Sequence, residues 1–253
     1  MEKFRTNMLN WPLYNLALRF NPYFDLFMRQ PKAVIFDMDG VLIDSEPIHC
    51  EIERTLFIKL GLNVSAEVHK TYLGTAGDFM YNDIKTRFGL SESINQLLEM
   101  DEAFRCEYFR SLEVISLNEG VLSLLQEIKK SGIRLAVATS SSPLIARTLL
   151  GRCGILSIFD AVVTTSDAGK SKPAPDVYLL AANMTGVAPA DCLVFEDSPN
   201  GLMAAKNAGM FCMAIKTESV NVDELSGADH VIETFDGMTL HRLTDLFSFK
   251  LST

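Results

Sequence analysis

Val34-Ile-Phe-Asp-Met-Asp-Gly-Val-Leu-Ile-Asp44 is an apolar run that delivers two carboxylates, Asp37 and Asp39, into a turn at Gly40. A short buried strand ending in charge has no packing rationale, because taking a carboxylate out of water is costly unless a cation or a partner compensates. Side chains alternate along extended backbone, so residues two apart face the same side where the strand runs out. One carboxylate of such a pair can attack an electrophile while the other moves a proton, with a hard cation screening their repulsion. Asp and Gly are also ordinary turn residues, so the pair alone leaves a capped turn open. What the rest of the chain brings to the same place decides between the two.

The chain has 253 residues and is 48% apolar, enough for one substantial core with a smaller unit inserted in it. A net charge of −9 and the lack of any Lys/Arg block exclude a phosphate-backbone binder, so no nucleic-acid partner is expected. Cys50, Cys106, Cys153, Cys192 and Cys212 are odd in number and widely spaced, without a CxxC. That pattern suggests neither a zinc site nor a disulfide framework, and it fits reduced thiols in the cytoplasm. Every apolar stretch is interrupted by charge or turn residues, so no membrane-spanning segment is expected. Residues 1–30 stand apart as an extension rich in aromatic and aliphatic residues, among them Phe4, Trp11, Tyr14, Phe20 and Phe24. This stretch reads as an amphipathic cover, a membrane-surface segment or a targeting sequence, although it makes a poor secretory signal. Met28, just before the first strand, is a candidate natural start.

After Gly40 the pattern changes. Pro47 stands near a helix start, and His49, Ile52, Leu56 and Leu60 mark one face of that helix. Further helices are expected near 66–73, 78–88 and 92–110, separated by Gly74, Gly77 and Gly89. From Gly120 onward strands and helices alternate: helix 121–131, strand 134–139, helix 143–152, strand 161–165, helix 176–186, strand 192–196, helix 199–208 and strand 211–216. A short strand at 230–232 and a helix at 239–247 complete the series. Such alternation with nearly continuous apolar strands predicts a parallel sheet covered on both faces, with ligands at the C-terminal strand ends.

Three other strand ends carry reactive side chains. Strand 134–139 delivers Thr139, Ser140, Ser141 and Ser142 before Pro143 opens a helix, an arrangement that serves either a phosphate oxygen or an ordinary helix cap. Lys172 precedes Pro173-Ala-Pro175, which stiffens the loop and can aim an ammonium, with Lys170 as its competitor. Strand 192–196 delivers Glu196 and Asp197: either Asp197 or Ser198 simply caps the next helix, or the two acids join Asp37 and Asp39 in an oxygen-rich cluster suited to Mg²⁺.

Taken together, Phe36-Asp-Met-Asp-Gly-Val-Leu-Ile-Asp-Ser-Glu46, Ala138-Thr-Ser140, Ser171-Lys-Pro-Ala-Pro175 and Phe195-Glu-Asp-Ser-Pro-Asn-Gly201 resemble, in order, the motifs of the haloacid-dehalogenase-like superfamily. The branch resembled is the β-phosphoglucomutase-like and sugar-phosphatase branch with a helical cap, over residues 33 to about 235. The resemblance implies an α/β fold: a Rossmann-like parallel-sheet core from residues 31–45 and 115–253, sandwiched by helices, with an inserted all-helical cap from residues 46–114. It further implies that Asp37 is a nucleophile forming an aspartyl-phosphate and that Asp39 is the general acid/base. Thr139, Ser140 and Lys172 would hold the phosphoryl group, and Mg²⁺ would be bound by Asp37, the Asp39 carbonyl, Glu196 and Asp197.

Substrate choice is expected to rest with the cap. His49 lies where mutase-like relatives keep a hinge histidine. The cap arginine and the asparagine that those mutases use fall on Gly77 and Pro143 here, with Lys70, Lys85 and Arg87 as nearby substitutes. These departures favour a Mg²⁺-dependent phosphatase of a small phosphorylated metabolite, a sugar or nucleoside phosphate, over a hexose-phosphate mutase; a cytoplasmic monomer is expected, with an oligomer left open. A phosphonatase has no clear cap lysine to support it. A non-catalytic binding protein on the same fold would be marked by loss of a motif acid, and none is lost.

Overall fold

The computed structural model describes residues 29–72, 77–217 and 220–249. The aromatic N-terminal stretch, Met28 and Gly74 lie outside the described residues. Six parallel strands form one sheet: β1 (Ala33–Phe36), β2 (Arg134–Thr139), β3 (Ala161–Thr164), β4 (Cys192–Glu196), β5 (Phe211–Ile215) and β6 (His230–Ile232). Their spatial order is β3-β2-β1-β4-β5-β6. The direction of strand addition therefore reverses at β1, and the crevice beyond its C-terminal end is where an open α/β sheet receives a ligand.

Among the described residues, four helices make up the insertion that follows β1: α1 (Glu46–Lys59), α2 (Ala66–Lys70), α3 (Gly77–Phe88) and α4 (Ile94–Ser111). Then come α5 (Val121–Ser131), α6 (Pro143–Arg152), α7 (Thr165–Ala168), α8 (Asp176–Thr185), α9 (Pro199–Asn207) and α10 (Leu240–Phe249). The sheet is buried on both faces. Val34 and Phe36 pack with Val137 and Phe195 over α5, α6 and α10, while Ala33 and Ile35 face Tyr178, Ala181 and Ala204 from α8 and α9. The rings of Phe36 and Phe195 stack with centroids 5.0 Å apart. Each such fully buried side chain contributes about 1.5–3 kcal/mol, which is why β1 can carry two aspartates at its end without losing its place.

The inserted helices have an apolar cluster of their own, made by Leu56, Phe57, Tyr72, Met80, Tyr81, Ile84 and Leu97. Ile52 of α1 and Phe109 of α4 join the larger cluster under the sheet instead, and so tie the insertion to the core. The chain leaves and re-enters the core at adjacent points. Ile43 bridges antiparallel to Leu117, the N–H of Asn118 donates to Leu42 O at 2.9 Å, and its side-chain amide donates to Gly40 O and Val41 O.

Of the expected elements that end early, two show a clear local arrangement at the end. The strand expected to reach residue 165 stops at Thr164, whose hydroxyl accepts from the Asp167 N–H while the Asp167 carboxylate accepts from the Thr164 N–H; this reciprocal cap opens α7. The helix expected over 66–73 is the single turn and a half of α2, closed at Thr71.

Candidate active site

Asp37 follows the last residue of β1, and its N–H donates to Phe195 O at 2.9 Å, which fixes the carboxylate at the sheet's C-terminal edge. The loop between α7 and α8 brings Lys172 over that edge. Its ammonium donates to Asp37 Oδ1 at 2.5 Å, to Glu196 Oε1 at 2.6 Å and to Ala138 O at 3.1 Å. Burial would pull the lysine down, but the charges of Asp37 and Glu196 outweigh it and raise the ammonium well above its ordinary value. Burial also raises Asp37, which Lys172 offsets in part before Glu196, Asp197 and Asp39 add to the rise.

Glu196 is completely buried. Its Oε1 accepts from Lys172 and from the Tyr178 hydroxyl at 2.6 Å, and its Oε2 accepts from the N–H groups of Asp197 and Ser198 and the Ser198 hydroxyl. Burial raises Glu196, yet Lys172 and these hydrogen bonds prevail and hold it below the usual glutamate value. The first turn of α9 rides directly over this carboxylate, so a Cβ on Gly201 would stand 1.7 Å from Glu196 Oε1. Glu196, expected among the cation's ligands, thus has both oxygens engaged by protein donors and anchors Lys172.

Asp197 sits against the turn that follows Asp39. A Cβ on Gly40, whose φ is +78°, would come within 2.0 Å of Asp197 Oδ2, so glycine is required there both for the turn and for the close approach. Burial, then the charge of Glu196, push Asp197 up to about 7. Among the described residues, no three His, Cys, Asp or Glu side chains stand gathered as a ready ligand set. The donor chemistry nevertheless suits a hard cation: carboxylates of Asp37 and Asp197, the main-chain carbonyl of Asp39 beside Gly40, and an Asp197 whose charge lacks full compensation.

Asp39 is gripped from two sides. Its Oδ1 accepts from the Ser45 hydroxyl at 2.6 Å and lies 3.1 Å from His49 Nε2, while its Oδ2 accepts from the Ser141 hydroxyl at 2.7 Å. Burial raises this carboxyl, but His49, Ser45 and Ser141 together bring it down to about 2. The tautomer of His49 follows from its other neighbour. Arg105 Nη1 lies 2.7 Å from His49 Nδ1, and a guanidinium has only donors, so Nδ1 accepts and Nε2 carries the proton given to Asp39. Arg105 is in turn clamped by Asp101 at 2.6 Å and Glu53 at 2.8 Å inside the cap.

At the end of β2, Thr139 is buried and its Oγ1 accepts from the Ser141 N–H at 3.0 Å, while Ser140 is exposed. Ser142 accepts from the Ile145 N–H and caps α6. The serine run therefore divides its tasks, with the cap at Ser142 and the site-facing hydroxyl at Ser141.

The three strand ends and the Lys172 loop singled out in the sequence meet here. Asp37, Lys172 and Glu196 are in direct contact, Asp197 is one residue on, and His49 touches Asp39. Ser45, Arg105 and Tyr178 escaped sequence reasoning, and Ser141 was noted there as a hydroxyl for phosphate or a cap, not as a partner of Asp39. Only Ser45 and Ser141 stood inside segments already noted; Arg105, between Phe104 and Cys106 in mid-helix, carries no local signal. Of the nearby cap cations, Lys85 is spent on the carbonyls of Leu90 and Glu92, and Arg87 is paired with Asp83.

A doubly covered parallel sheet with this carboxylate and ammonium cluster at its switch point, under inserted helices, defines a capped α/β enzyme. The chain belongs to the haloacid dehalogenase-like hydrolases, whose family profile matches residues 31–209. It is 32% identical over 196 residues to the fructose-1-phosphate phosphatase YqaB of Escherichia coli, covering 73% of this chain and 96% of that protein. It is 28% identical over 218 residues to the beta-phosphoglucomutase of Bacillus subtilis, covering 84% and 93%. A variant of CbbY from Rhodobacter sphaeroides, solved with xylulose-(1,5)bisphosphate, superposes with a TM-score of 0.74 at 29% identity, covering 85% of this chain and 99% of that one. The protein is thus an enzyme of the phosphomonoester-hydrolase kind. Among the described residues, no helix is long and apolar enough to cross a membrane.

Proposed function

We propose that the protein is a Mg²⁺-dependent phosphatase of a small phosphorylated metabolite, a sugar or nucleoside monophosphate, working through an aspartyl-phosphate on Asp37. The observation that carries this reading is the buried Lys172–Asp37 contact of 2.5 Å at the end of β1, with Asp39 two residues on. Sugar-phosphate phosphatases among the relatives support the substrate class.

In the first half-reaction a carboxylate oxygen of Asp37 attacks phosphorus as the bond to the leaving oxygen breaks, and Asp39 gives that oxygen its proton. In the second, Asp39 takes a proton from water, whose oxygen attacks phosphorus and frees both phosphate and Asp37. Lys172 neutralises charge on Asp37 and on the transferring phosphoryl oxygens, a task that preorganised cations perform without rearrangement. Thr139 and Ser140 offer hydroxyls to the same oxygens. Asp37, Asp197 and the Asp39 carbonyl would hold Mg²⁺, which supplies further charge neutralisation to the phosphoryl group. Held down to about 2, Asp39 is set as the base of the second half-reaction; as acid in the first it carries a proton toward the leaving oxygen.

The β-phosphoglucomutase likeness keeps a hexose-phosphate mutase as the second reading. By the sequence resemblance, Gly77 falls where such mutases keep a cap arginine for a second phosphate and Pro143 where they keep an asparagine, and the engagement of Lys85 and Arg87 within the cap favours the phosphatase. A screen of sugar phosphates, nucleotides and pyrophosphate with Mg²⁺ or EDTA tests the proposal. Release of inorganic phosphate, abolished by Asp37→Asn, is expected. Full turnover by that variant would refute the assignment, and isomerised sugar phosphate with little free phosphate would move it to the mutase.

A further inference from the structure

Asp39 is held by donors of different provenance. Ser45 and His49 belong to the start of the inserted helices, whereas Ser141 belongs to the core loop between β2 and α6. That loop is fixed on both sides of Ser141. Its N–H donates to Thr139 Oγ1 at 3.0 Å, and the next residue, Ser142, is locked as the cap of α6 through the Ile145 N–H. The hydroxyl of Ser141 therefore projects from rigid core backbone onto Asp39 Oδ2, whatever the cap does with Oδ1. It also stands one hydrogen bond from Thr139, the hydroxyl offered to the phosphoryl group.

We infer that Ser141 is a positioning residue for Asp39: it holds the acid/base carboxylate from the core side and fixes its orientation relative to the phosphate loop. The inference rests on the reading of Asp39 as proton donor to the leaving group. Without Ser141, Oδ2 loses its core donor and Asp39 is located only by the two hinge contacts, so it presents a proton to the leaving oxygen less often. The effect must scale with how much the leaving group needs that proton.

The test compares kcat/KM of wild type, Ser141→Ala, Ser141→Thr and Asp39→Asn on p-nitrophenyl phosphate, phenyl phosphate and fructose 1-phosphate. The ratio kcat/KM reports the step that expels the leaving group. General acid catalysis is worth about 10²- to 10⁴-fold, so Asp39→Asn should lose most on the sugar phosphate and least on p-nitrophenyl phosphate. Ser141→Ala should show the same ordering at smaller scale, with roughly a tenfold greater loss on fructose 1-phosphate or, between the aryl esters, on phenyl phosphate. Ser141→Thr, which keeps the hydroxyl, should restore most of it. A graded loss in Asp39→Asn with a uniform or absent loss in Ser141→Ala overturns the inference alone. A uniform loss in Asp39→Asn overturns the acid role on which it stands.

Discussion

Lys172 and Asp37 are in contact at 2.5 Å although they lie 135 residues apart, and both side chains are less than a tenth exposed. Few arrangements reveal more about what a site must tolerate, because removing one member of a buried pair leaves the other charge uncompensated. Lys172→Met should therefore lower stability by about 3–5 kcal/mol and turnover by about 10²-fold or more. Denaturant titration and steady-state rates check this. A variant that kept wild-type stability and half its turnover would mean that the ammonium is neither structural nor catalytic.

Gly201 offers a test in which two effects have opposite sign. In an exposed helix, Gly→Ala gains up to about 1 kcal/mol from backbone entropy. Here the new methyl would stand 1.7 Å from Glu196 Oε1, so the carboxylate that anchors Lys172 must move. Gly201→Ala is expected to destabilise by about 1–3 kcal/mol, as overpacking does, and to reduce turnover with it. A rise in melting temperature with unchanged rates would show that α9 shifts freely.

Cation binding should depend on pH through Asp197. Its folded-state value, about 7 against an ordinary 3.8, means that the folded chain without metal holds this proton more tightly than the unfolded chain. The sign follows: Asp197 favours the fold fully below about pH 4, and this contribution is lost as pH rises through 7. A cation must displace the proton below that point, so apparent Mg²⁺ affinity should fall by up to about tenfold per pH unit under 7. Thermal shifts with Mg²⁺ or EDTA at pH 6 and pH 8 measure it, the larger Mg²⁺ stabilisation being expected at pH 8. Equal shifts at both would remove Asp197 from the cation site.

Strands β1, β2, β4 and β5 were legible because each is a largely apolar run buried on both faces, and the polar residues after β1 and β4, with the lysine before Pro173, pointed to Asp37, Glu196 and Lys172. What escaped depends on contacts between distant segments. Arg105 looks like any charged residue in mid-helix until α1 brings His49 to it. Tyr178 reads as core, and is core, except that its hydroxyl meets Glu196. Ser141 was one of three consecutive serines, and only the loop geometry separates it from its cap-forming neighbour. Thr164 ended a strand early because a reciprocal hydrogen bond with Asp167 outweighed its β propensity.

The bridge between Ile43 and Leu117, with Asn118 bound to the carbonyls of Gly40 and Val41, makes the entry and exit of the inserted helices a single point. Seen from the sheet, the whole insertion is one long surface loop whose ends are already closed. Lengthening such a loop costs only about 0.6 kcal/mol per doubling. The chain is therefore built for transplantation: a different helical insertion joined at Ile43 and Leu117 would inherit the same turn, the same Asp39 backbone and the same phosphate chemistry while changing what is admitted to it.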